Sequence, residues 1–399
     1  MRSFFQAWRT LGDLPRTVWA ACATTLINRL GSMALPFLSL FLTEQRHYSE
    51  SQAGFAVAAY GLAGLVTAPF AGKLVDSIGP FRLMMWSLTL GGGLMVAVPF
   101  IPGYLWFVLF VLVWSTAMEA FRPAAMALVT DSVTPQRKRT AITLYRTAIN
   151  LGMSVGPAVG GFLARVSYVW IFAVDAATSL LAAVFLMWSM RSLPPHQPHP
   201  DISRNLAVRD PRVWRYLVAV LPVMLVFFQH VSSMPLFLVR NLHLSPSVYG
   251  LLFTLNTILI LLVEVPLTVH TSHWPLNRLL SIGSFLVAAG FGGLALSRNI
   301  LEISLTVVLW TIGEMFLLPA AAAYITDLAP QGRSGQYIGM SQALFSLSFL
   351  LGPIVGTSTL EHLGGTVLWT GCFAAGCLSA VLVGFLPSHR ETQAKSTTA

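Results

Sequence analysis

The sequence predicts an all-α membrane protein of about twelve transmembrane helices, arranged as two six-helix halves. Three observations carry that prediction. Of the 399 residues 55% are hydrophobic and only 10% charged, against about 25% charged in an ordinary soluble domain. Apolar stretches close to the ~20 residues that cross a bilayer as a helix recur from Val18 to Pro387. The second half also repeats the first in a single register.

Taken in order, the spans are expected at 16–42, 52–72, 83–101, 104–128, 141–164 and 168–189, then at 213–239, 247–268, 277–297, 300–326, 337–359 and 365–387. The first apolar stretch follows a basic leader (Arg2, Arg9, Arg16) and is too long for a signal-peptide core, so it reads as a retained span. The net charge of +9 does not point to nucleic acid, because of where the cations fall. With the loops alternating, Arg46, Arg165, Arg240 and Arg298 occupy one side. Seventeen Lys and Arg, among them Lys73, Arg82, Arg137, Lys138, Arg139, Arg191 and Arg333, occupy the other. Positively charged loops stay in the cytoplasm, so both termini are expected there, in a multi-pass protein of the cell inner membrane. Anionic lipid headgroups are a secondary partner for these loops. Cys22, Cys372 and Cys377 all fall inside spans and are read as packing residues. No metal-ligand spacing is present.

The repeat begins at Pro123-Ala-Ala-Met-Ala-Leu-Val-Thr-Asp131, which recurs 196 residues later as Pro319-Ala-Ala-Ala-Ala-Tyr-Ile-Thr-Asp327. The same displacement carries Arg137 to Arg333, Gly156-Pro157 to Gly352-Pro353 and Gly160 to Gly356. The expected organisation is an N-terminal six-helix bundle over 1–189, a polar linker over 190–212 and a C-terminal bundle with a short tail over 213–399. Parallel halves of this kind are one plan for secondary transporters, in which substrate binds near the midplane and the halves rock about it. Nothing matches a Walker A loop, so no ATP drive and no cofactor are expected.

The loop after the second span reads Gly72-Lys-Leu-Val-Asp76-Ser-Ile-Gly79-Pro-Phe-Arg82. It resembles motif A of the major facilitator superfamily, and it lies on the side where that family carries it. Asp76 can accept charge-assisted hydrogen bonds, and Arg82 can pair with a carboxylate such as Asp131 at the end of the fourth span. Such bonds would lock one conformation and break in another. The equivalent loop of the second half, Thr268 to Arg278, lacks the Asp-Gly core, and its His270 and His273 read as solvated. The fifth span carries Gly152-Met-Ser-Val-Gly156-Pro157-Ala-Val-Gly160-Gly161, which resembles motif C, the mark of antiporters and exporters in that family. Small residues four apart let helices approach closely, and the proline adds a bend. The resemblance covers essentially the whole chain and is nearest to twelve-helix multidrug exporters of the LmrP type. It implies the major facilitator fold and a transporter, not an enzyme. Motif B is poorly matched: Arg122 lies only nine residues before Asp131.

Ionisable groups inside a membrane are expensive and mark function by default. Here they are Arg29, Glu119, Arg122, Arg146, Asp175, Glu264 and Glu314. Glu314, Glu119 and Arg29 fall near the middle of spans ten, four and one, and are the candidates for proton coupling or substrate binding. Glu119 and Arg122 are three apart and share a helical face. With Arg146 on the next span they form a candidate charge network. Asp175 reads as a packing or hydrogen-bonding residue, and Glu264 as one that reaches the interface. Phe121, Met126, Met315, Phe316 and Phe345 are candidates for lining an adaptable apolar cavity. The resulting expectation is a proton-coupled antiporter that exports lipophilic, cationic small molecules as a monomer. The alternative is a dedicated exporter of an anionic metabolite such as a siderophore, or of a sugar or lipid-like compound.

Overall fold

The computed structural model describes residues 14–134, 137–190, 209–271, 273–329 and 334–387. Within these helices it describes no side chain at 68, 69, 71–73, 76, 138–140, 143, 269 or 334–336. Every regular element among the described residues is a helix, with no strand. The helices are α1 (Arg16–Leu30), α2 (Ala34–Leu40), α3 (Glu50–Ile78), α4 (Pro80–Ala97), α5 (Tyr104–Glu119), α6 (Phe121–Asp131), α7 (Lys138–Ala164) and α8 (Tyr168–Ser189). They continue with α9 (Pro211–Phe227), α10 (Ser233–Leu236), α11 (Pro246–His270), α12 (Leu276–Gly293), α13 (Ile300–Asp327), α14 (Ser334–Leu363) and α15 (Gly365–Gly384). Eleven helical stretches among the described residues are long and apolar enough to cross a membrane. The remaining expected span falls on the 29-residue α3. The expected linker lies almost wholly outside the described residues.

Helix boundaries follow local chemistry. Ser167, Asp210 and Asn299 each accept a hydrogen bond from a first-turn backbone N–H, from Val169, Arg212 and Glu302 respectively. These bonds satisfy donors that a helix start leaves without an intrahelical partner. Between α3 and α4 the chain turns in one residue. Gly79 takes φ 86°, a conformation that side chains disfavour, and Pro80 opens the next helix with its fixed φ.

The repeat extends well beyond the motifs. Displacement by the same 196 residues takes the start and end of α4 to those of α12, the α5–α6 pair onto α13, and the start of α7 to that of α14. It also takes a π turn at Phe41–Gln45 to one at Phe237–Asn241, and a left-handed His47 to a left-handed His243.

The chain divides into two compact units. Unit 1 takes Met1–Leu38, Ala63–Asp201 and Pro246–Thr257; unit 2 takes Ser39–Leu62, Ile202–Ser245 and Ile258–Ala399. Two long helices are therefore shared: the first part of α3 belongs to unit 2, and the first part of α11 to unit 1.

Large apolar side chains remain exposed along the helices, among them Leu105, Trp106 and Val113 on α5 and Leu181, Val184 and Trp188 on α8. Lipid is the solvent for such faces. It gives helices no hydrophobic reason to associate, so close packing of small residues has to do so. In unit 1, Gly92 of α4 lies against Ser179 and Ala176 of α8. In unit 2, Gly283 and Gly290 of α12 lie against the backbone of α13 at Gly313, Leu317 and Trp310. Cys22 and Cys372 are buried thiols within such packing, and Cys377 is half-buried; none is bridged.

Candidate functional site in the broken helices

Within unit 1 the first span is broken between α1 and α2. The chain turns over Gly31–Met33, and the helix restarts at Ala34. A restart inside a membrane leaves backbone N–H groups that lipid cannot satisfy. Asp175 of α8, 2% exposed, meets this need: its Oδ2 accepts from Met33 N at 3.3 Å and Ala34 N at 3.0 Å. Asn28, on the last turn before the break, donates to Ser179 Oγ at 3.0 Å.

The motif C glycines of α7 receive this break. A methyl group at Gly152 would overlap Arg29 Cβ. At Gly156 it would lie 3.1 Å from the Arg29 carbonyl oxygen, and at Gly160 2.8 Å from Met33 Cβ. On another face of α7, Gly161 lies against Ser247 and Gly250 of α11, and Thr254 donates to the Ser154 carbonyl at 2.9 Å. Pro157 sits inside α7 without ending it.

The other candidates of unit 1 surround that break. Arg29 is half-buried and reaches Ser32 Oγ at 3.5 Å, while its Nε has no hydrogen-bond partner. Tyr145 of α7 is 1% exposed, with its hydroxyl buried in the same region. Glu119 is half-buried, and Arg122 and Arg146 are exposed. Among the described residues no ion pair joins Glu119 to Arg122. The reason is local: Pro123 has no N–H to give the Glu119 carbonyl, so the helix is interrupted at Ala120 and the two side chains do not share one regular face.

For motif A, Gly72 and Asp76 fall on the last turns of α3, with the Asp76 side chain outside the described residues. Arg82, on the first turn of α4, and Asp131, at the end of α6, are both exposed. Asp131 accepts from Thr130 Oγ1 at 3.5 Å, and among the described residues no ion pair links it to Arg82. No group of three or more His, Cys, Asp or Glu residues is placed to hold a metal ion among the described residues.

Unit 2 repeats the break in the seventh span with different residues. α9 ends at Phe227, a 3₁₀ turn covers Phe228–Val231, and α10 begins at Ser233. Gln229, 3% exposed, ties the turn down. Its Nε2 donates to the Leu225 and Gly352 carbonyls, both at 2.9 Å, and its Oε1 accepts from Ser233 Oγ at 2.7 Å. Gly352 and Gly356 are the repeat copies of the motif C glycines, and a methyl group at Gly356 would overlap Gln229 Oε1. In both units, then, the Gly-Pro helix is the surface on which a broken helix rests.

His230 follows on the same turn. Its Nδ1 donates to the Phe227 carbonyl at 2.6 Å, so a further proton would be taken at Nε2. Its ring lies 4.7 Å from Phe227 and 5.8 Å from Trp310 of α13. Trp310 is four residues before Glu314, on the same helical face, and Glu314 is half-buried. Phe228 packs edge-on against Phe345 and Phe349, each at 4.7 Å, and Phe349 meets Tyr60 of α3 at 5.7 Å. Of the apolar candidates, Phe345 belongs to this aromatic group. Phe121 and Met315 are buried in packing, and Phe316 stacks on Trp274 at 6.4 Å. Gln229 and His230 were missed in the sequence, although a Gln-His pair inside an apolar span was a usable signal.

The family model described as Major Facilitator Superfamily matches residues 21–245 and 230–398. The chain belongs to that superfamily. Membership makes it a multi-pass membrane transporter and not an enzyme. Among similar members of the superfamily is the MFS-type transporter YqjV of Bacillus subtilis, 26% identical over 368 residues that cover 88% of each chain. Others are Multidrug resistance protein 1 of the same organism, 24% identical over 83% of this chain and 88% of its own, and Multidrug resistance protein MdtH of Aeromonas salmonicida, 22% identical over 86% and 87%. Among solved structures, a peptide transporter of the POT type superposes with a TM-score of 0.78 at 15% identity, over 95% of this chain and 97% of its own. The nucleoside transporter NupG superposes with a TM-score of 0.75 at 13% identity, over 92% and 98%. At these identities the superpositions establish the superfamily fold.

Proposed function

We propose that this superfamily member is a proton-coupled antiporter of the cell inner membrane, with both termini cytoplasmic, that exports lipophilic cations by alternating access as a monomer. The observation that carries the reading is Glu314. It is a half-buried carboxylate in the middle of α13, one turn from Trp310, whose ring stacks on His230 of the α9 break. Aromatic faces attract cations, and an ionised carboxylate beside them gives a cation its counter-charge. Helix breaks near the midplane are where secondary transporters place their sites. Two of the similar proteins bear multidrug-resistance names.

In this cycle the ionised Glu314 holds the cation. A proton arriving from outside neutralises the carboxylate and releases the cargo, and the proton then leaves to the cytoplasm. Glu119 and Arg29 in unit 1 are assistant groups, and motif A, with Gly72, Asp76, Gly79, Arg82 and Asp131, is the conformational lock.

Dye efflux from a host lacking its own pumps tests this. The wild type is expected to extrude ethidium in a protonophore-sensitive manner, and Glu314→Gln to lose at least 90% of that rate while reaching the membrane in equal amount. Undiminished, protonophore-sensitive efflux by the variant would remove Glu314 from the mechanism.

A second reading has its own observation. Arg29, Arg122 and Arg146 lie within the spans of unit 1, and the Tyr145 hydroxyl is buried there. An anionic metabolite would suit those groups. Inhibition of transport by anionic rather than cationic competitors would favour it.

A further inference from the structure

At one end of unit 2 four chain segments meet. They are the π turn that closes the first span, the first turn of α3, the π turn that closes the seventh span and the last turn of α14. Arg240 Nη1 lies 3.3 Å from Glu50 Oε1, and Arg240 Nε lies 3.7 Å from Glu44 Oε1. Glu361 Oε2 accepts from the Ser51 backbone N–H at 2.6 Å, which brings a third carboxylate against the same turn. Two carboxylates thus share one guanidinium, and a third lies at the turn that carries one of them.

They are not equivalent. Glu44 is exposed, whereas Glu50 is 9% exposed, and its Oε2 is buried without any hydrogen-bond partner. A buried carboxylate oxygen with nothing to accept from is costly when charged, and a proton removes that cost. Glu50 stands at the head of α3, ahead of the expected span at 52–72. Burial pushes its carboxyl above the usual carboxylate range; Arg240 opposes the rise, and Glu361 and Glu44 add to it. Arg46 lies over the Phe41 ring, His362 Nδ1 donates to the Ser358 carbonyl, and His47 and His243 occupy the left-handed loop positions.

We propose that this cluster is a proton-binding site at the outer end of the transporter, with Glu50 Oε2 taking the proton, and that proton uptake there holds the four segments together. The term "outer" rests on the orientation given under Proposed function; the site itself is separate from Glu314. When the segments part, Glu50 meets water and returns towards the ordinary carboxylate range. The clasped arrangement therefore binds the proton more tightly than the parted one. It gains stability as pH falls through the raised value, and that gain is absent above it. The proton comes from the outer solution and returns there when the segments part. This site therefore regulates closure and does not itself move protons across the membrane.

The test uses the full chain in lipid nanodiscs. Cys22, Cys372 and Cys377 are replaced by alanine, and spin labels are placed at Gln45→Cys and Leu363→Cys, both exposed positions. Distances are read by pulsed electron resonance between pH 5 and pH 8.5. A short-distance population that rises as pH falls is expected, with Glu50→Gln showing it at every pH. Glu44→Gln, which removes a neighbouring negative charge, should move the midpoint to lower pH and serves if Glu50→Gln folds poorly. Distances that ignore pH in the parent, or a Glu50→Gln variant that titrates like it, would overturn the proposal. Efflux lost in Glu314→Gln with this titration intact, or the reverse, keeps the two readings apart.

Discussion

Asp175→Ala is expected to cause one of the largest losses of stability among single substitutions in this chain. The carboxylate is the acceptor for two consecutive backbone N–H groups at the α2 restart, inside the membrane. Removing it leaves the Ala34 N–H buried without an acceptor, while the Met33 N–H keeps the Gly31 carbonyl at 2.6 Å; the orphaned donor costs about 1–3 kcal/mol in a setting where water cannot replace the carboxylate. Asp175→Asn keeps one carbonyl acceptor of the same shape and should retain most of the stability. Unfolding of purified protein in detergent, followed by size-exclusion fluorescence after heating, checks this. The order wild type, Asn, Ala is expected, with Ala lowest in apparent Tm. Equal behaviour of Asn and Ala would mean that the break is not held by that oxygen. Because Arg29 lies two residues before the break, the Ala variant should also lose transport even where it survives purification.

Gly152→Ala is the second large effect, and it carries its own control. The new methyl would overlap Arg29 Cβ and lie 2.9 Å from the Arg29 carbonyl carbon. The carbonyl carbon belongs to the backbone of α1, so side-chain rotation cannot relieve the contact. Overpacking of this kind costs about 1–3 kcal/mol. Gly93→Ala, on α4, meets nothing within 4 Å. There the helix should gain the roughly 0.5–1 kcal/mol by which alanine exceeds glycine. The pair is expected to move in opposite directions in the same thermal assay. If both were neutral, the motif C glycines would not be set by close approach to the first span.

What the residues disclose unaided follows from what is local. Span positions depend on apolar length, and Tyr168–Ser189 falls where its apolar run places it. The repeat is visible because it has no insertion. The Gly-Pro helices are visible because glycine spacing directly encodes close packing. The breaks at Gly31–Met33 and Phe228–Val231 are another matter. Neither contains proline, but Pro36 and Pro235 follow them and withhold the N–H that the Ser32 and Val231 carbonyls would receive in a continuous helix, a local signal of the same kind as Pro123. Each is stabilised by a partner distant in sequence: Asp175 for the first, and Gln229 with Gly352 for the second. Conversely, the three-residue spacing of Glu119 and Arg122 suggests a pair that the missing N–H of Pro123 undoes. Glu44, Glu50 and Arg240 look like separate loop charges until the turns that carry them meet.

Glu44 and Arg240 are 196 residues apart, so they are the same position of the repeat, and they face each other. A position that meets its own counterpart lies near the axis relating the copies. In a chain still made of two identical copies, the residue there would have confronted itself, and two glutamates or two arginines would repel. The present pair is the asymmetric solution, one sign on each copy. Exchanging the two residues with each other should nevertheless be harmful, because a glutamate at 240 would face Glu50, which Arg240 now meets at 3.3 Å, so that neighbour fixes which copy carries the cation.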